Sequence, residues 1–163
     1  MSQIDQLLAA NAEHAARASG EALPSPPSRR LAVVACMDAR LDVYRVLGLG
    51  EGEAHVIRNA GGVVTDDVVR SLAISQRLLG TREVVLVHHT QCGMATFSDE
   101  EFRDAIEADT GQRPPWHSEA FADLEQDVRD SIARIAASPF VPHTDAVRGF
   151  VYDVATGRLH EVA

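Results

Sequence analysis

The sequence is poor in cysteine and has no long apolar run. Its 163 residues include only two cysteines, Cys36 and Cys92, which are too few for a disulfide-stapled scaffold. A reducing, cytoplasmic setting is therefore expected. The first twenty residues carry acidic side chains and no uninterrupted apolar core, so we expect neither a secretory signal nor a membrane span.

Basic residues are also scarce relative to acidic ones. Fifteen Lys and Arg against 24 Asp and Glu give a net charge of -9, so nucleic acid or an anionic membrane would meet a repulsive mean field. Small molecules are the better candidate ligands. With 45% hydrophobic and 24% charged residues, the composition is that of an ordinary globular protein. The length predicts one domain over residues 1–163.

The first thirty residues are predicted to form a helix and an extended connector. Ile4, Leu7 and Leu8 recur at helical spacing behind a weak capping signal at Ser2. Three prolines between residues 22 and 30 exclude both a helix and a central strand there. Residues 1–30 are thus expected to be an N-terminal helix followed by a proline-rich connector.

Strands and helices alternate along the rest of the chain. Apolar runs at residues 31–35, 54–58 and 83–87 are typical of strands covered on both faces, as in a parallel sheet. Thr65 and Gly80 bracket the clearest helix. This order predicts an α/β fold with a mainly parallel, open sheet of about four strands flanked by helices. A hairpin over residues 149–162 is expected to add a C-terminal edge strand.

Two further helices are predicted in the second half of the chain. Ser98 and Glu101 have capping-box spacing before Phe102. A longer helical stripe runs from Phe121 to Ile135. Their apolar faces are expected to be core or dimer surface.

Chemically useful side chains follow two of the predicted strands. The motif C-M-D-A-R begins at Cys36, after the first strand, and H-H-T-Q-C-G begins at His88, after the third. In an open parallel sheet, ligands bind beyond the carboxyl ends of the strands, where several loops converge. Two thiolates and an imidazole, with a carboxylate in reserve, form a mixed donor set that tetrahedral zinc accepts. The sequence therefore predicts a zinc site at this edge of the sheet.

The spacing within each motif indicates which side chains can point towards one site. Alternation along an extended segment would point Cys36, Asp38 and Arg40 to one side. The Asp38 carboxylate could then reach either a metal held by Cys36 or the guanidinium of Arg40. In the second motif, one turn can present both His89 and Cys92 to a single ion.

These motifs resemble those of the β-class carbonic anhydrases. The resemblance rests on C-x-D-x-R from Cys36, R-N-A-G from Arg58 and H-x-x-C-G from His89. It covers residues 31–95 closely and the remainder through the order of strands and helices. Short bacterial members with C-M-D-A-R and H-H-T-x-C-G look most similar.

The resemblance implies a zinc enzyme. The matching Cys36, His89 and Cys92 are expected to be zinc ligands, and Zn²⁺ is the implied cofactor. Asp38 and Arg40 are expected to be a catalytic dyad that gates the fourth coordination position, with Asp38 itself the fourth ligand in a closed state. The implied reaction is the reversible hydration of carbon dioxide to bicarbonate and a proton by zinc-bound hydroxide. A homodimer, or a multiple of dimers, is implied as well.

Several alternatives stay open at this point. Carbonyl sulfide and carbon disulfide are linear isosteres of carbon dioxide, so the same zinc site could hydrolyse either of them. A site closed by Asp38 could instead be a non-catalytic zinc-binding module, and the two thiols could serve redox chemistry although they form no C-x-x-C pair. His88 is expected to point into the core or an interface. No role is assigned to the remaining histidines, which are His14, His55, His117, His143 and His160.

Overall fold

Helices and strands alternate over most of the chain. The computed structural model describes residues 2–18 and 20–162. In chain order its elements are α1 (Gln3–Ala15), β1 (Leu31–Cys36), α2 (Val43–Leu47), β2 (Ala54–Asn59), α3 (Asp66–Leu79), β3 (Glu83–His89), a short 3-10 turn (Gly93–Ala95), α4 (Asp99–Thr110), α5 (Leu124–Ala136), β4 (Val147–Tyr152) and β5 (Leu159–Val162).

The strands form one sheet in the order β2-β1-β3-β4-β5. The first four strands pair in parallel, and β5 runs antiparallel to β4 at the edge. The predicted parallel sheet with a C-terminal edge strand is therefore confirmed. Since β1 and β3 are direct neighbours, with Ala35 opposite Val87, their carboxyl ends lie side by side.

Both faces of the sheet are covered. Residues 32–35 of β1 are 0% exposed, which explains why that run is continuously apolar. On one face, Val34 packs in a cluster with Leu72 of α3 and Ile135 of α5. On the other face, Val33 packs in a cluster with Val43 of α2. Full burial of each such aliphatic side chain contributes about 1.5–3 kcal/mol, so the strand ends are anchored by a packed core.

Capping side chains set the helix boundaries. The Thr65 hydroxyl accepts a hydrogen bond from the Val68 amide, and Gly80, in a left-handed conformation, ends α3. Ser98 begins α4 with the predicted capping box. The prediction that Phe121 belongs to the last helix is wrong. Helix α5 begins after Asp123, whose carboxylate accepts from the backbone of the first turn.

The N-terminal arm packs differently from the other elements. Helix α1 begins at the predicted cap, where Ser2 and Asp5 form a reciprocal capping box. All of its side chains are exposed, and residues 22–30 contain neither helix nor strand. In the described part of the chain, no helix combines the length and the apolar character that crossing a membrane demands.

Candidate metal centre

Two neighbouring strands end at the candidate site. β1 extends to Cys36 and β3 extends to His89, slightly beyond the predicted strand ends. Parallel neighbours present their carboxyl ends at one edge, so these two side chains meet there although 53 positions separate Cys36 from His89 in the sequence. Cys92 follows after a turn in which Gln91 adopts a left-handed φ of 55°.

Three buried donor atoms converge at this edge. The side-chain donors of Cys36, His89 and Cys92 all lie within 4.8 Å of one another. The two sulfur atoms are 4.0 Å apart, and His89 is 0% exposed. Among the described residues, this is the one group of three or more Cys, His or acidic side chains with metal-binding geometry. The structure thus brings together the three residues that the sequence predicted as ligands.

The orientation of His89 fits a metal ion. Its Nδ1 lies 2.9 Å from the Thr90 carbonyl oxygen, an arrangement in which Nδ1–H donates and Nε2 keeps its lone pair. Nε2 is buried and has no hydrogen-bond partner. A buried polar atom without a partner is costly, and a cation between Nε2 and the two sulfur atoms would satisfy it. Two sulfurs and one imidazole nitrogen are a donor set suited to zinc.

The thiols share their protons unequally. The contact between the two sulfur atoms, either of which could be the donor, lowers the pKa of Cys36 although burial opposes the shift. The same interaction, together with burial, raises the pKa of Cys92. Burial alone would lower the pKa of His89, but the adjacent Cys36 sulfur and the Thr90 carbonyl outweigh it, so that pKa is raised. The contact therefore favours the thiolate form of Cys36 over that of Cys92.

Asp38 and Arg40 form a bidentate ion pair beside the cluster. The Arg40 guanidinium donates to Asp38 Oδ1 from Nε at 2.9 Å and to Oδ2 from Nη2 at 2.7 Å. The Arg40 amide donates to Oδ1 as well, at 2.9 Å. These bonds hold the pKa of Asp38 well below its usual range. The carboxylate is ionised, and its Oδ2 lies 3.6 Å from His89 Nε2.

The pair forms through a turn and not through an extended segment. The chain bends directly after Asp38, where the Leu41 amide donates to the Asp38 carbonyl at 3.0 Å. The predicted alternation along C-x-D-x-R is therefore wrong. The bend lets the Arg40 guanidinium fold back onto Asp38 and also donate to the Gln91 carbonyl at 3.0 Å, which links the two motif loops.

A cavity of about 320 Å³ opens in front of the cluster. Apolar side chains and backbone dominate its wall, and the Asp38 carboxylate is its charged group. The lining residues are Cys36, Met37, Asp38, Ala60, Gly61, Cys92, Gly93, Met94 and Phe97. An apolar chamber with one anionic acceptor suits a small uncharged substrate.

The other histidines stay outside the cluster. His88 is 0% exposed and lies on the opposite side of β3, where its Nε2 is 2.6 Å from Asp127 Oδ2 of α5. This placement agrees with the structural role expected for it. His55 contacts the Ser75 hydroxyl, and His117 contacts the Asp99 carboxylate.

Two residues make contacts at the site that sequence reasoning did not predict. Arg58 donates hydrogen bonds to the carbonyl oxygens of Cys36 and Asp38. Gly62 packs directly on β1, so that an added Cβ would lie 2.7 Å from the Cys36 nitrogen. The motif R-N-A-G-G marks both positions, but a linear pattern does not say which backbone they touch.

Sequence comparisons match the chain to carbonic anhydrases and, at lower identity, to carbon disulfide hydrolases. The profile of the carbonic anhydrase family matches residues 31–159. "Beta-carbonic anhydrase 1" of Mycobacterium tuberculosis is 61% identical over 162 residues, which is 99% of each chain. A carbon disulfide hydrolase of Acidithiobacillus thiooxidans is 36% identical over 154 residues, covering 82% of this chain and 77% of the hydrolase.

Solved structures agree with the sequence comparisons. A carbonic anhydrase from Streptococcus mutans superposes with a TM-score of 0.93 at 44% identity, covering 100% of this chain and 99% of the other. A carbonic anhydrase from Glaciozyma antarctica has a TM-score of 0.89 at 39% identity, with 100% of both chains covered.

Proposed function

The chain belongs to the β-class carbonic anhydrases, and from this premise we propose that Cys36, His89 and Cys92 hold a catalytic zinc ion. The observation that carries the proposal is the buried cluster of two sulfurs and one unpartnered imidazole nitrogen. Three protein ligands leave one position open, as in other catalytic zinc sites. A zinc ion held there would lower the pKa of a coordinated water towards neutrality and so make hydroxide available.

The enzyme catalyses the reversible hydration of carbon dioxide to bicarbonate and a proton. This assignment follows from the family match together with the full-length relative at 61% identity. Carbon dioxide is small, linear and uncharged, and it suits the largely apolar cavity in front of Cys36 and Cys92.

Asp38 is proposed to orient the attacking oxygen. Its low pKa keeps the carboxylate ionised, so it can only accept hydrogen bonds. Three donors from Arg40 occupy one side of the carboxylate, while Oδ2 remains close to His89 Nε2. An acceptor fixed there can hold the proton of the nucleophile and direct its lone pair towards the substrate carbon.

Arg40 is proposed to keep Asp38 in this open arrangement. If the ion pair were broken, the Asp38 carboxylate would be free to become the fourth ligand and close the site. In the structure the Asp38 carboxylate is paired with Arg40. This pairing favours a catalytic site over a closed, non-catalytic zinc module.

Carbon disulfide hydrolysis is the second candidate activity. It is favoured only by relatives at 36% identity or less, such as that of Acidithiobacillus thiooxidans. Stopped-flow assays of zinc-loaded protein with carbon dioxide, carbonyl sulfide and carbon disulfide, combined with metal analysis, test both proposals. We expect about one zinc per chain and rapid hydration of carbon dioxide. A metal-free preparation with full activity would contradict the zinc site.

We also propose that the enzyme is a homodimer or a multiple of dimers. Ile4, Leu7 and Leu8 of α1 are 69%, 69% and 63% exposed, although they form one apolar face of the helix. A contiguous exposed apolar face is typical of an interface. Most soluble oligomers are symmetric assemblies of identical chains, so we expect the partner to be a second copy of this chain.

The domain boundaries and the location are proposals as well. Residues 1–163 are proposed to form one domain, because a single sheet and its covering helices account for the chain from β1 to β5, with residues 1–30 as an arm. A cytoplasmic location is supported by Cys36 and Cys92, which form no disulfide, as is usual for proteins of a reducing compartment.

A further inference from the structure

Arg58 connects the end of β2 to the segment that carries Cys36 and Asp38. Its Nε and Nη2 lie 2.9 and 2.7 Å from the Cys36 carbonyl oxygen. Nη2 also donates to the Asp38 carbonyl at 2.8 Å. One planar guanidinium therefore holds two carbonyl groups of a three-residue segment.

This segment begins at the last residue of β1 and leaves the sheet after Cys36. The Met37 amide donates to the Asn59 carbonyl at 2.8 Å, and that is the last main-chain bond between β2 and the segment. The Cys36 carbonyl accepts two hydrogen bonds from the side chain of Arg58, and the Asp38 carbonyl accepts one from Arg58 and one from the Leu41 amide. Without Arg58, the Cys36 carbonyl would lose both of these donors and the Asp38 carbonyl would keep only the Leu41 amide.

The charge of Arg58 has no carboxylate partner. The described part of the chain offers no acidic group within ion-pair distance of its guanidinium. The guanidinium donates instead to the main-chain carbonyls of Cys36 and Asp38, the two residues that carry a thiol and a carboxylate of the site.

We propose that Arg58 is a positioning residue of the metal centre. Its guanidinium fixes the main chain of residues 36–38, so that the Cys36 thiol stays in the ligand set and the Asp38 carboxylate stays on Arg40. Arg40 thus holds the Asp38 side chain and Arg58 holds its backbone. This inference rests on the zinc site proposed above and assigns Arg58 no contact with substrate.

Metal release tests the inference without relying on activity. Zinc-loaded Arg58→Gln should lose zinc to a chelator at least about tenfold faster than the wild type, since outer-shell partners typically change metal affinity by 10–100-fold. Arg148→Gln is the matched control, because Arg148 pairs with Glu161 on the far β4–β5 edge. Its rate should equal that of the wild type.

Two further readouts separate positioning from general stability. The visible spectrum of the cobalt-substituted protein reports the geometry around the ion, and it should change in Arg58→Gln but not in Arg148→Gln. Turnover in Arg58→Gln should fall with little change in KM. In Arg58→Lys, which keeps the charge but loses the two-pronged donor, metal release should be intermediate.

Chemical rescue by guanidinium tests whether the missing side chain causes the faster zinc release. Millimolar guanidinium should slow zinc release from Arg58→Ala and leave the wild type unaffected. If Arg58→Ala does not fold, the zinc-release rate of Arg58→Lys is compared with that of the wild type. Identical rates in these two proteins would overturn the inference. Unchanged metal release and an unchanged cobalt spectrum in Arg58→Gln would overturn it too, as would a rise in KM alone.

Zinc binding and hydration by the wild-type protein distinguish a failure of this inference from a failure of the proposed function. Wild-type protein that binds no zinc or fails to hydrate carbon dioxide would contradict the proposed function, whatever the Arg58 variants do. Normal wild-type behaviour with normal metal release in Arg58→Gln would contradict the role of Arg58 alone.

Discussion

At the scale of single residues, Asp38 stands between two sets of partners. Its oxygens accept from Arg40 on one side, and Oδ2 faces His89 Nε2 across 3.6 Å on the other. In the proposed zinc site, rotation of this side chain would exchange the ion pair for coordination of the metal. The choice between these partners would then decide whether the fourth position is open.

Arg40→Ala should abolish hydration while zinc stays bound, because the released Asp38 carboxylate is then free to occupy the fourth position. Asp38→Ala should also retain zinc, but its open site should turn over about 10–100-fold more slowly. Stopped-flow hydration and metal analysis of both variants give the comparison. Wild-type hydration by Arg40→Ala from mildly acidic to mildly alkaline pH would reduce the dyad to a structural ion pair.

The two thiols lead to a prediction for the metal-free protein. The pKa of Cys36 is lowered by the Cys92 thiol, below the value of about 8.5 for an unfolded cysteine. Stability from the Cys36 thiolate is therefore fully present above the unfolded pKa, and it is lost as the pH falls towards the folded pKa. We expect one thiolate absorbance at 240 nm per metal-free chain at neutral pH.

Two serine variants control this measurement. Cys36→Ser should remove the neutral-pH absorbance, whereas Cys92→Ser should retain it, because the serine hydroxyl can still donate to the Cys36 sulfur. Metal-free wild type without thiolate absorbance below pH of about 8 would contradict the assignment.

At the scale of elements, a close backbone approach joins the R-N-A-G-G segment to β1. Gly62 has a φ of 75°, and an added Cβ would meet the Cys36 nitrogen at 2.7 Å and the Ala35 carbonyl carbon at 3.0 Å. Backbone atoms cannot move aside as a flexible side chain can. The end of β1 is therefore placed by direct main-chain packing.

Gly62→Ala should lower the free energy of unfolding by about 3 kcal/mol or more and weaken zinc binding. Gly80→Ala is the matched control, because Gly80 has a similar φ of 74° but nothing within 4 Å of the added Cβ. It should show only the left-handed strain of about 1–2 kcal/mol. Urea unfolding and zinc content measure both effects, and equal losses in the two variants would rule out the packing argument.

The elements that could be predicted from sequence are those with local signals. Thr65 and Ser98 cap their helices in the predicted way, since a cap depends on neighbours three positions away. The five-residue helix α2 ends at Gly48 in a left-handed conformation, and a glycine is likewise a local stop signal. Phe121 was misplaced because its apolar spacing matches the stripe of α5, while the cap at Asp123 decides where that helix begins.

The candidate site could likewise be predicted only in part. The sequence motifs placed Cys36, His89 and Cys92 at converging strand ends, because topology alone brings parallel neighbours together. The contacts of Arg58 with the Cys36 and Asp38 carbonyls depend on side-chain direction between separate strands. No periodicity in the sequence encodes that direction.

At the scale of the whole molecule, α1 is a helix whose described side chains are all exposed. None of its described side chains is buried, although Ile4, Leu7 and Leu8 form an apolar face. An isolated helix of this length is marginal in water. Its apolar face is thus expected to be covered in the assembled enzyme.

Leu7→Asp combined with Leu8→Asp should shift the enzyme from dimer towards monomer, because two charges on that face oppose its burial. Light scattering measures the mass, and circular dichroism should show an unchanged sheet. Gln6→Asp, on the opposite side of α1, is the control and should remain dimeric. An active wild-type monomer would contradict the proposal that the enzyme is a dimer.

The sheet order has a consequence for how the protein acquires its metal. Cys36 and Cys92 are separated by 56 positions, and between them the chain must complete β2 and α3 before β3 can pair with β1. Such non-local parallel pairing is intrinsically slow. If the proposed zinc ion is bound, we therefore expect its capture to be a late event in folding. Until β3 pairs with β1, the two thiols of a newly made chain are expected to be far apart.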